Sequence, residues 1–158
     1  LVVRPAFGIA RDFHEGLAWV EKDGSWRVID TTGTVVFDPS WDVPDARDFS
    51  DGLSLVGSWK NDVVQYFYVD KTGETAIDLS FYNATPFSEG LAVVEIDDGE
   101  DTVCGYIDTS GAVVVEPRYG HASAFSGGLG HVIDPEDGAF SSAYLDTSGK
   151  IVWQMTRE

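Results

Sequence analysis

The chain is 158 residues long, with 43% hydrophobic and 13% aromatic residues and a formal net charge of −17. That hydrophobic content excludes a disordered chain, and the charge excludes nucleic acid and anionic membrane surfaces as partners, since binding either requires neutralising phosphates. The single cysteine, Cys104, excludes an intrachain disulfide, and no apolar run reaches the roughly 20 residues of a membrane-inserted helix.

Along the chain one pattern returns four times: Phe, two residues, Gly-Leu, a strand-like run, then Asp-x-x-Gly. The phenylalanines are Phe13, Phe49, Phe87 and Phe125, at steps of 36, 38 and 38 residues. The turns that follow are Asp30 to Gly33, Asp70 to Gly73, Asp108 to Gly111 and Asp146 to Gly149. A fixed period of this size signals a repeat architecture. Each unit predicts three strands. The first follows Gly-Leu and covers 17–20, 53–56, 91–94 and 129–132. The second precedes the turn at 26–29, 66–69, 104–107 and 142–145. The third follows it at 34–37, 74–77, 112–115 and 150–153. No stretch sustains helical periodicity, although a single helical turn fits between each third strand and the next Phe. Val2-Val3 reads as a leftover third strand, so 1–12 is the tail of a preceding unit, and the units run 13–48, 49–86, 87–124 and 125–158.

The Asp of each turn has a mechanical role. Its carboxylate accepts the backbone N–H groups that follow, and the Gly supplies a positive φ, which together make a tight hairpin with a bulge. Four equivalent acids of this kind are turn formers. The recurring Phe is expected in the core at all four places.

The expected fold is therefore all-β and a single domain over 1–158. It is a tandem array of about four three-stranded antiparallel repeats, open and twisted or solenoid-like, with a propeller-like ring as the alternative. The pattern resembles the bacterial WG-repeat family. Phe87-Ser88-Glu89-Gly90-Leu91-Ala92 and Gly105-Tyr106-Ile107-Asp108-Thr109-Ser110-Gly111 carry the resemblance most clearly. At the place of the namesake Trp-Gly pair stand Trp26-Arg27, Tyr66-Phe67, Cys104-Gly105 and Ser142-Ala143. The resemblance implies β-repeat scaffolding and binding, and it carries over no catalytic residue.

Recognition is expected where the repeats differ, at the tips between first and second strands. Two tips are strongly acidic: Asp97, Asp98, Glu100 and Asp101 in one, Asp134, Glu136 and Asp137 in the other. They form a negative edge suited to a basic protein partner. Trp59 stands beside a third tip as a contact anchor or sugar-stacking platform. The acidic run lacks EF-hand spacing, His14, His121 and His131 are scattered, and Ser126 belongs to the repeat, so no metal, cofactor or catalytic site is expected. The leading expectation is a non-catalytic interaction module, with an inhibitor or immunity protein as one version. The second is a carbohydrate or cell-surface binding repeat. The apolar end Ile151-Val152-Trp153 offers itself to a second copy or to other domains.

Overall fold

A computed structural model describes residues 7–43, 45–60, 62–97, 99, 101–134 and 141–155. All regular structure among them is β. Sixteen strands form four antiparallel meanders of four, none closed into a barrel. The first sheet holds β1 (Ile9–Ala10), β2 (Leu17–Lys22), β3 (Ser25–Asp30) and β4 (Val35–Phe37). The second holds β5 (Asp45–Ala46), β6 (Leu53–Lys60), β7 (Val63–Asp70) and β8 (Thr75–Phe81). The third holds β9 (Asn83–Ala84), β10 (Leu91–Asp97), β11 (Thr102–Asp108) and β12 (Val113–Tyr119). The fourth holds β13 (His121–Ala122), β14 (Leu129–Asp134), β15 (Ser141–Asp146) and β16 (Ile151–Gln154). The expected strand at Val2-Val3 lies outside the described residues.

The three expected strands per repeat are present, and a fourth joins them. β1, β5, β9 and β13 are two-residue strands, in place of the single helical turn expected in these segments. Each pairs antiparallel with the strand after the Gly-Leu corner, as Ala122 does with Val132. A strand this short is made by its partner's free edge rather than by its own sequence.

Two turns close every sheet. In the Asp-x-x-Gly turn the Asp108 carboxylate accepts the N–H of Ser110 at 2.8 Å, that of Ala112 at 3.1 Å and the Ser110 hydroxyl at 2.6 Å. Asp30, Asp70 and Asp146 do the same. The hydroxyl and amide bonds hold all four carboxyls below the ordinary aspartate range. The ladder between the strands flanking the turn is irregular, with register shifts opposite Val28/Ile29, Tyr106/Ile107 and Tyr144/Leu145, just before the turn aspartate. The second turn is the x-Gly pair of the Phe corner. Both residues have positive φ, 56° at Glu89 and 82° at Gly90, and Ser88 bridges Leu91 around them. This is a two-residue type I′ hairpin, whose twist matches the strands it joins.

Contacts gather the chain into two compact units, Leu1–Ser80 and Phe81–Glu158. In the first, Leu17, Trp19 and Val28 of one sheet pack against Ala46, Phe49, Val56 and Val69 of the next. Trp19 is fully buried, stacks parallel to Phe49 at 6.5 Å and donates its indole N–H to Ser54 at 2.9 Å. Gly73 sits where a Cβ would lie 2.7 Å from the Phe37 ring, so only glycine seats the second sheet's turn on β4.

The second unit repeats the arrangement. Leu91, Val93, Cys104, Tyr106, Val115 and Tyr119 of the third sheet pack on Ala122, Phe125, Val132, Ala143 and Leu145 of the fourth. Phe125 meets Tyr106 edge to face at 4.9 Å, and the Tyr106 hydroxyl donates to the Ser123 carbonyl at 2.7 Å. Cys104 is one of these core residues, and burial first, then Glu95, raises its thiol pKa.

One expectation needs correction. Phe49, Phe87 and Phe125 are core residues, but Phe13 is 46% exposed. Phe49 and Phe125 bury themselves on the preceding sheet, and among the described residues no sheet precedes Phe13.

Candidate functional site

The tips between the first and second full strands stand at one end of each meander. In the third sheet Asp97 pairs with Thr102 at the base of the tip, and its carboxylate accepts the Gly99 N–H at 2.8 Å. Asp97 and Asp101 are exposed and stand together there. In the fourth sheet Asp134 opposes Ser141 at the base of the corresponding tip. It is half-buried and lies 3.9 Å from the Arg118 guanidinium, which stacks over the Tyr119 ring at 4.8 Å. Asp98, Glu100, Glu136 and Asp137 lie outside the described residues. Within the second unit the third and fourth sheets pack on one another, β11 against β13 and β12 against β14.

Trp59 belongs to the first unit and is described with its own neighbours. It lies on β6 opposite Val64, is 54% exposed and forms one wall of a cleft of about 170 Å³. Tyr66, Phe67, Gln65, Ser58, Lys60 and Asp78 complete the lining. That volume is well under the roughly 300–1,000 Å³ of a cofactor or drug-sized ligand site and suits a single side chain. The aromatic walls and the Asp78 carboxylate attract an ammonium or guanidinium group, and the Lys60 ammonium in the same lining works against it.

Electrostatics favour cations at the surface. Arg11 and Arg47 both reach Asp45, at 3.4 and 3.0 Å, Lys71 reaches Glu15 at 3.0 Å, and Arg27 lies 3.8 Å from Asp38. With Arg118 also beside Asp134, much of the small basic complement is spent inside the molecule.

The residues that join the sheets had not been singled out. Glu89, held at positive φ in its hairpin turn, spans to the next sheet and accepts the N–H groups of Gly127 and Gly128, both at 2.8 Å. Glu15, at the same place in the first repeat, accepts the Gly52 N–H at 3.0 Å. Burial works against the Glu15 charge, but Lys71 and the Gly52 N–H outweigh it and lower its pKa. The signal was in the sequence: an acid stands before the Gly in three repeats, as Glu15, Asp51 and Glu89, and Gly127 replaces it in the fourth.

The family model for the WG containing repeat matches residues 1–26, 26–57, 66–99 and 105–132. The chain belongs to the WG-containing repeat family. No curated protein matches it in sequence. Among solved structures, this WG-repeat chain is similar to a crystal structure of the eukaryotic initiation factor. The two share 14% identity over 94% of this chain and 43% of the other, with a TM-score of 0.60. It is also similar to the tricorn protease, at 16% identity over 97% of this chain and 17% of the other, with a TM-score of 0.52. The WG-repeat chain spans less than half the length of either. These neighbours are β-propeller-like, and at such identities the likeness shows the fold alone. A β-repeat fold of this kind is suited to binding.

Proposed function

We propose that the protein is a non-catalytic binding module for a basic protein partner. The acidic tips of the third and fourth sheets draw the partner in, and the Trp59 cleft seats one of its Lys or Arg side chains between the indole and the Asp78 carboxylate. The observation that carries this reading is Trp59 itself, a large aromatic left 54% exposed on a cleft of one-side-chain size. The excess of 27 acidic over 10 basic residues supplies the long-range attraction. An inhibitor or immunity-type role is one version of such a module. The carbohydrate reading asked for exposed aromatics at equivalent places in successive repeats. Trp59, Tyr82, Tyr144 and Trp153 are exposed at non-equivalent places, which favours the protein partner.

The test is fluorescence anisotropy with a labelled Lys/Arg-rich peptide, titrated with the 158-residue chain. Binding should weaken between about 50 mM and 500 mM salt. Trp59→Ala should cost about tenfold or more in affinity through faster dissociation, while Asp97→Asn with Asp101→Asn should chiefly slow association. Affinity indifferent to salt and to Trp59→Ala would contradict the proposal.

A further inference from the structure

The Trp59 cleft has a neighbour. A second cleft, of about 110 Å³, lies in the same unit, between the tip of the first sheet at Gly24 and Ser25 and the connection from β4 to β5. Trp26, Trp41, Asp38 and Asp42 line it. Both tryptophans are half-buried and pack on the core that the first and second sheets share, which holds them in place as walls. A cation already sits well in these surroundings: the Arg11 guanidinium lies over the Trp26 ring, 5.6 Å from its centroid. Arg27, 3.8 Å away, partly offsets Asp38. Asp42 is exposed and makes no ion pair among the described residues. The second cleft therefore sets one uncompensated carboxylate beside two indoles, in a volume that suits one side-chain group.

The two clefts adjoin. Trp41 of the second cleft meets Phe67 of the Trp59 cleft edge to face, with ring centroids 5.7 Å apart. Each cleft also lies at the tip end of its sheet. Ser58, Lys60 and Gln65 flank the tip between β6 and β7, as Gly24 and Ser25 belong to the tip between β2 and β3. The two sheets pack on one another through Trp19, Val28, Val56 and Val69, and packed sheets lie about 10 Å apart.

We propose that the two clefts act as one receptor, each seating one of two closely spaced Lys or Arg side chains on the same stretch of the partner. This rests on the basic-partner reading above and adds the pattern that the partner must carry. On an extended chain, side chains two and four residues apart face the same way at about 7 and 13 Å, which bracket the distance between the sheets. The long stems of Lys and Arg take up the difference. Once the first base is seated, the second binds from a high effective concentration, so the pair gains affinity beyond what its added charge supplies.

Fluorescence anisotropy with two labelled peptides of neutral background tests this, one carrying a single Arg and the other two Arg residues four apart. On the 158-residue chain the two-Arg peptide should bind about tenfold tighter or more. Asp42→Asn, an isosteric change at an exposed position, should reduce that advantage to about twofold and leave the single-Arg peptide within about twofold of its native affinity. Asp12→Asn removes an exposed carboxylate that lines neither cleft and should leave the advantage intact. A two-Arg peptide that binds no tighter than the single-Arg one, or an advantage that Asp42→Asn leaves untouched or that Asp12→Asn reduces equally, would overturn the proposal. Single-Arg binding that still responds to Trp59→Ala would then leave the earlier reading standing. Failure of both peptides to bind would overturn both.

Discussion

The third and fourth sheets are built from the same letters and meet different surroundings. Tyr106 and Tyr144 stand two residues before their turn aspartates, each at the middle of a cross-strand row. In the third sheet the row Val93, Tyr106, Val115 is buried, and Tyr106 has no exposed surface. In the fourth the row is His131, Tyr144, Trp153, and Tyr144 is 40% exposed. The corner differs in the same sense. Glu89 clamps the turn of the sheet beyond it, while the equivalent residue in the fourth repeat is Gly127, which has no carboxylate to offer. A residue's burial in this molecule is therefore a property of its place in the stack. The letter alone does not decide it.

The comparison is most easily broken at its centre. Tyr106→Ala should cost about 3–5 kcal/mol in urea unfolding, because it empties a packed site between two sheets. Tyr144→Ala, measured on dilute protein, should cost about 1 kcal/mol or less. Equal losses would mean that the fourth sheet's outer row is buried after all. Tyr106→Phe isolates the hydroxyl. Leaving the Ser123 carbonyl without that donor should cost about 1 kcal/mol by the same measurement. Burial also pushes the Tyr106 phenol well above its ordinary pKa, so it should stay protonated in alkali that ionises a free tyrosine.

Smaller effects sharpen the picture at the corners. Glu89→Ala removes two charge-assisted bonds at an exposed site, and screening reduces the expected loss to about 0.5–1 kcal/mol. Gly127→Glu places the same acid in the fourth repeat and should change stability by less than about 0.5 kcal/mol in the 158-residue chain, since no further x-Gly corner follows among the described residues. The turn aspartates give the smallest and most pH-dependent signal. Their folded pKa values lie below the ordinary one, so their contribution is whole above the ordinary aspartate pKa and is lost as pH falls through the folded value. The difference in thermal stability between the native protein and Asp70→Ala should accordingly close on acidification.

Much of the scaffold was legible because its signals are local. Asp-x-x-Gly dictates its turn through bonds within five residues, and the β-rich runs on either side admit little but strands. The short strands such as His121–Ala122 were not legible, because a two-residue strand exists only through the edge it meets. The exposure of Phe13 escaped for a related reason: the letter repeats, but among the described residues no sheet precedes it to cover the ring. The Glu15 and Glu89 clamps left a trace in the recurring acid before Gly, which reads as an ordinary exposed turn residue until the next sheet's amides are placed against it. Of the candidate site, Trp59 was legible as an aromatic beside a variable tip, whereas its Asp78 neighbour comes from a strand that only the fold brings alongside.

The central claim is that identical positions are covered in one sheet and open in the next. Chemical nitration of tyrosine on dilute native protein, mapped by mass spectrometry of the peptides, tests it most directly. Tyr144 should be modified while Tyr106 stays unreacted until the protein unfolds. Modification of both at similar rates, or of Tyr106 first, would contradict it.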